Sequence, residues 1–230
     1  MDLIWKGAVK AIRLLAGVDR ELLKIAWLSL KVSATATIVA MLIGLPLGTW
    51  LALGKFKGRR LLLAVANTGM GLPPVVVGLT VAILLWRTGP LGFLGLLYTP
   101  AAMVSAQFLI AVPIVTGLTT ATIQSLDPRV RLEALALGAS IPQLVRVLWR
   151  EARLGLLATV MAGFGGAISE VGAVLMVGGN IKGQTRVLTT SVVTETRVGH
   201  FDQAIALSVI LLLLVFLTNV VLTYLQQERQ

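Results

Sequence analysis

Five apolar stretches, residues 32–53, 61–86, 100–125, 152–177 and 203–225, take up most of this 230-residue chain. At ~1.5 Å of rise per residue, each is long enough to cross a ~30 Å hydrocarbon core as a helix. The runs are continuous rather than alternating, which disfavours a transmembrane barrel. Charged residues make up only 13% of the chain and the mean hydropathy is +0.90. A soluble domain carries about 25% charged residues. The sequence therefore predicts an all-α, polytopic membrane protein with one transmembrane domain over residues 1–230.

Charge placement orients the spans. Lys55, Lys57, Arg59 and Arg60 fall in one short loop, and Arg129, Arg131, Arg146 and Arg150 in the long connection 126–151. With Arg153 and Arg229 on that side, the opposite side holds only Arg87, Lys182, Arg186 and Arg197. The positive-inside rule puts 126–151 in the cytoplasm and 178–202 outside. Five N-terminal basic residues, ending at Lys24, fall on the outer side and run against this assignment. The net charge of +10 is read as span-end cations meeting lipid headgroups, not as a nucleic-acid surface. In residues 1–20, Trp5, Ala8, Val9, Ile12 and Ala16 share one helical face, and Lys6, Lys10 and Arg13 another. That pattern predicts an interfacial amphipathic helix.

Inside the spans, Pro46, Pro73-Pro74 and Pro113 each remove a backbone donor and are expected to interrupt or kink the first three helices. Such breaks serve packing or line a water-filled path. The fourth span carries small-residue rows, Ala158-Ala162-Gly166 and Gly165-Ser169-Ala173, so it is expected to be surrounded by neighbours. Glu170 is costly at such a depth. It reads either as a functional carboxylate or as one hydrogen-bonded near the outer interface.

The connection 126–151 is too long and too periodic for a plain loop. Glu133-Ala134 precedes Gly138 by five residues, and an amphipathic turn with Leu144, Val145 and Leu148 follows. It looks built to be held by a partner. No phosphate-binding loop accompanies it: Gly48…Gly54-Lys55 has the wrong spacing and no following Ser or Thr. His200 is the only histidine, cysteine is absent, and no HExxH or GxSxG occurs. No chain of buried charges suggests proton coupling either. No catalytic residue, metal or cofactor is assigned, and the energy source is expected to be external.

The segment Glu133-Ala134…Gly138 and the stretch to Trp149 resemble the coupling loop of ABC-importer permeases, where E-A-A-x-x-x-G precedes a docking helix. Leu135 stands in place of the second alanine, and Arg150-Glu151-Ala152-Arg153 where the family has Leu-Pro. The resemblance narrows over residues 67–78, 127–140 and 167–183. There Ser169-Glu170-Val171 and Lys182 look closer to tungstate permeases than to their molybdate and sulfate relatives.

The resemblance implies the importer-permease fold, working by alternating access. It implies a homodimer of permeases, two cytoplasmic ATP-binding subunits and an extracytoplasmic oxyanion-binding protein. Glu133, Ala134, Gly138, Leu144, Val145 and Leu148 become candidates for contact with the ATPase. Arg146, Arg150 and Arg153 share a face suited to acidic motor residues or to lipid phosphate. Pro73, Pro74, Ser169, Glu170, Asn180 and Lys182 become candidates for the path or its gate, with Arg186 and Arg197 as further outer-side donors. Tungstate, molybdate and sulfate, all tetrahedral dianions, stay open as substrates. A channel or carrier independent of ATP remains the alternative.

Overall fold

The computed structural model describes residues 5–7, 9–12, 17 and 20–227, with side chains as far as residue 224. Among these, every regular element is helical. In chain order they are α1 (Arg20–Leu53), α2 (Arg59–Met70), α3 (Pro74–Leu85), a 3-10 turn at Gly92–Leu94 and α4 (Pro100–Gln124). Then come α5 (Pro128–Ala136), α6 (Ile141–Glu151), α7 (Arg153–Ile168), α8 (Gly172–Gly178), α9 (Leu188–Arg197) and α10 (Phe201–Gln227). Three helices, α1, α4 and α10, are each long and apolar enough to cross a membrane alone. The bent pairs α2–α3 and α6–α7 raise the number of spans to as many as five.

Helices α1 and α4 form the spine. Their closeness depends on glycine: a Cβ on Gly44 would lie 2.8 Å from Val115 Cγ1, and one on Gly48 2.6 Å from the Thr116 carbonyl oxygen. Small residues let two backbones approach in this way. The Thr120 hydroxyl uses the proximity to donate to the Gly48 carbonyl at 3.1 Å. Ala40, Ala111 and Val115 are buried together in the seam. Both helices run unbroken through Pro46 and Pro113, so the interruptions expected there do not occur. Only Pro73-Pro74 breaks its span, where the axes of α2 and α3 turn by 100°.

Two other expectations are revised. The fourth apolar run does not continue to residue 177: α7 stops at Ile168 and α8 restarts at Gly172. Its outer row Ala158-Ala162 is exposed within this chain, while Gly163, Phe164 and Ala167 face the core, so helices of this chain cover only one side of it. The stretch 178–202, read as a loop, contains α9. Helix α1 also begins twelve residues before the apolar run, despite Arg20, Glu21 and Lys24. Its extension is held by Lys182 Nζ to Glu21 Oε1 at 2.9 Å and by the Leu188 N–H donating to Ser29 Oγ at 2.9 Å.

The N-terminal segment packs on this end. Gly7 lies against Ile205, and Ala11 is buried with Leu22, Leu188, Ala206, Leu207 and Ile210. Lys10 pairs with Asp202 at 2.7 Å. Trp5 and Ile12 are exposed. Ala8, Arg13 and Ala16 lie outside the described residues.

Candidate coupling surface and translocation path

One helix measures the distance between the two candidate regions. Thr49 of α1 accepts from Trp149 Nε1 at 2.8 Å, while Ser29, twenty residues earlier, holds the start of α9. At ~1.5 Å per residue the two contacts are ~30 Å apart, the thickness of a hydrocarbon core. The 126–151 region and the 178–202 region therefore sit at opposite ends of the bundle.

At the first end, the Asp127 carboxylate caps α5 by accepting from the Arg129 N–H at 2.9 Å, with Pro128 in the first turn. The helix closes through Leu137 N–H to Glu133 O and Ala139 N–H to Ala134 O, both at 3.0 Å. Gly138 between them has φ +78°, the left-handed conformation a glycine C-cap adopts. Nothing lies within 4 Å of where its Cβ would be, so backbone conformation and not space selects glycine. Gln143 Oε1 then accepts from the Ser140 N–H at 2.8 Å and starts α6.

Leu144 and Leu148 are each 2% exposed. With Ala134 they pack on Ile123, Ala152 and Leu156 of their own chain. The apolar face expected to meet the ATPase is thus turned inward and fixes α6 to the bundle; Val145 is half-buried. Glu133 and Gly138 do lie on the outer surface. Beside them a ridge missed by the sequence reading stands free: Leu132, Leu135, Leu137 and Ile141, with Leu137 88% exposed. The signal was there, since apolar residues occur on both sides of α5–α6, but periodicity alone does not say which side the bundle covers. A contiguous apolar ridge in water marks a contact surface. Arg146 and Arg150 are exposed on α6, and Arg153 is exposed at the start of α7.

At the second end, two helix breaks meet. Gly71, Leu72 and Pro73 separate α2 from α3, and Pro74 occupies the first turn of α3. Facing them, Ser169, Glu170 and Val171 separate α7 from α8. The restarted helices are in tight contact: a Cβ on Gly78 would be 2.5 Å from Ala173 Cα, and one on Gly172 2.8 Å from Val75 Cγ2. Glu170 is 7% exposed, and its Oε1 accepts from the Ala173 N–H at 2.9 Å. It therefore caps α8, a position where helix-end N–H groups and the helix dipole favour a carboxylate. Its carbonyl accepts from the Thr189 hydroxyl at 3.1 Å. Ser169 is exposed and donates back to the Gly165 carbonyl at 2.8 Å.

Asn180 and Lys182 lie beyond α8. Asn180 has φ +50° and donates from Nδ2 to Thr194 Oγ1 at 2.7 Å, while its buried Oδ1 has no partner. Lys182 is exposed and paired with Glu21. The path candidates thus split into a break pair, Pro73-Pro74 with Ser169-Glu170, and an outer pair, Asn180 with Lys182.

A third feature lies between α1, α2 and α4. It is an open groove of about 590 Å³ lined by Leu47, Trp50, Val65, Pro113 and Thr116, among others. Helix α2, which forms one wall, has no buried residue and exposes Asn67 and Thr68 in its last turn. Polar side chains at such a depth are costly against lipid.

The model of the binding-protein-dependent transport system inner membrane component matches residues 44–229. The tungstate uptake system permease protein TupB of Peptoclostridium acidaminophilum is 42% identical, over 99% of this chain and 100% of its own length. A probable anion ABC transporter permease protein of Haloferax volcanii is 40% identical over 86% of this chain and 88% of its own. Among solved structures, the inward-facing MetNI methionine ABC transporter matches 93% of this chain and 98% of its own chain with a TM-score of 0.78 at 19% identity, a likeness of fold. The chain belongs to the family of binding-protein-dependent transport system inner membrane components, and is a multi-pass membrane permease.

Proposed function

We propose that this chain is the membrane-spanning subunit of an ATP-driven importer for tungstate, with molybdate as the next candidate. The observation that carries the substrate is the 42% identity, end to end, with a tungstate uptake permease. Two ATP-binding subunits act at the cytoplasmic end, where Glu133, Gly138 and the ridge Leu132–Leu135–Leu137–Ile141 lie open. An extracytoplasmic binding protein delivers the anion at the other end, near Asn180 and Lys182.

A second copy of the permease completes the path. The bare α2 face and the groove beside it supply its support, because Asn67 and Thr68 then meet water or a partner rather than acyl chains. ATP hydrolysis belongs to the partner subunits, and this chain converts their movement into rearrangement of the two helix breaks. Alternating access needs elements that shift as units. Helices α3 and α8, locked through Gly78 and Ala173, form one such unit around Glu170.

The test is ATP-dependent uptake of labelled tungstate into vesicles holding the permease, its ATPase and its binding protein, with molybdate and sulfate as competitors. Uptake blocked by molybdate and not by sulfate supports the reading. Uptake that persists without ATP or without the ATPase subunits overturns it in favour of a channel or carrier.

A further inference from the structure

Among the described residues, two cavities at the outer end of the bundle carry more cations than carboxylates. Two adjoining cavities, of about 190 and 350 Å³, share Glu21, Ile25, Lys182 and Arg186. Arg20 and Lys24 line the larger, and Glu195 and Ser191 the smaller. Four cations thus face two carboxylates. Both carboxylates already have partners: Glu21 takes Lys182 at 2.9 Å, and Glu195 takes His200 Nδ1 at 2.9 Å.

Arg186 is left over. Its Nε is shut off from solvent and has no hydrogen-bond partner. Among the described residues, Arg20, Lys24 and Arg186 form no ion pair. A guanidinium N–H kept from water without an acceptor is costly. The cost disappears when an anion occupies the cavity.

We infer that this pocket, between the start of α1, the 182–186 turn and α9, is a binding site for a phosphate-type tetrahedral oxyanion. Arg186 and Lys24 supply its charge-assisted donors. Arginine suits such an anion because its N–H groups are set in a planar fork. At ~30 Å³ per water, the larger cavity has room for an anion with several waters. Ile25 and Leu28 give it an apolar wall, so the anion is either a free ion or the phosphate of a lipid whose chains lie along α1. The site lies at the start of α1, whereas the groove with α2 and α4 lies at its end, and the inference does not depend on which anion is imported.

The experiment uses the intact transporter complex, wild type beside R186Q and K24A. In one arm it is reconstituted in phosphatidylglycerol, partly delipidated, and its retained lipid is counted by native mass spectrometry. In the other, the fully delipidated complex is titrated with inorganic phosphate and with sulfate. Retained lipid that falls about tenfold in the variants identifies a lipid phosphate. Binding of free anion that weakens about tenfold in the variants identifies a free ion. Lys24 is exposed, so K24A reports on the site even where R186Q fails to assemble. Equal lipid retention and equal anion binding in wild type and K24A overturn the inference.

Discussion

Two of the chain's helix breaks, one between α5 and α6 and one between α7 and α8, satisfy the freed backbone by different means. Between α5 and α6 the turn is made by Gly138 at φ +78°, with backbone groups closing on one another and large apolar side chains left outside. Between α7 and α8 no glycine takes a left-handed turn. There a buried carboxylate, Glu170, receives the N–H of Ala173, and the Thr189 hydroxyl covers the Glu170 carbonyl. The first break relies mainly on backbone groups, with Gln143 Oε1 accepting from the Ser140 N–H, whereas at the second a buried carboxylate and a hydroxyl take the freed groups. The first break is therefore free to present a surface. The second is committed to holding itself together.

The largest effect is expected where the first region is anchored. Leu148→Ala removes a side chain packed on Ile123, Ala152 and Leu156. It should cost about 2–5 kcal/mol, read as a lower unfolding midpoint of the purified complex. A cost below 1 kcal/mol would mean that α6 is held by something other than this contact.

A smaller loss is expected at the second break. Glu170→Leu leaves the Ala173 N–H without an acceptor and should cost about 0.5–2 kcal/mol, whereas Glu170→Gln keeps an oxygen there and should keep most of the stability. If the two variants melt together, capping is not what Glu170 contributes, and its charge becomes the better account.

Gly138→Ala should cost a similar amount, about 1–2 kcal/mol for a left-handed alanine at a solvent-exposed turn. Its effect on transport should exceed its effect on melting, because it re-aims the Leu137 ridge relative to α6. Uptake that falls only in proportion to stability would remove the distinction between a presenting break and a holding one.

Much of this was legible in the sequence, for identifiable reasons. The apolar runs and the Pro73-Pro74 break come from strong local signals. Three features were not legible because they depend on distant partners. The α1 extension exists because Lys182 and Leu188 hold Glu21 and Ser29. The break at residues 169–171 is hidden inside a run that stays apolar on both sides, and only Glu170 followed by Gly172 hinted at a new helix start. The inward turn of Leu144 and Leu148 follows from the bundle above them, which a helical pattern does not contain. Pro46 and Pro113 misled for the opposite reason: a proline within a packed helix is accommodated where neighbours fit it, as Gly69 does against Pro113.

We propose that force from the ATPase enters through the outward ridge of α5–α6. The most direct test is ATP-driven uptake of labelled tungstate by complexes carrying Leu137→Asp, a change at a side chain 88% exposed in this chain. Uptake reduced about tenfold or more, with the melting of the isolated permease unchanged, is the predicted result, since a charge placed in a contact core costs at least ~1.4 kcal/mol. Uptake equal to wild type in an assembled complex would contradict the account and move the coupling contact elsewhere.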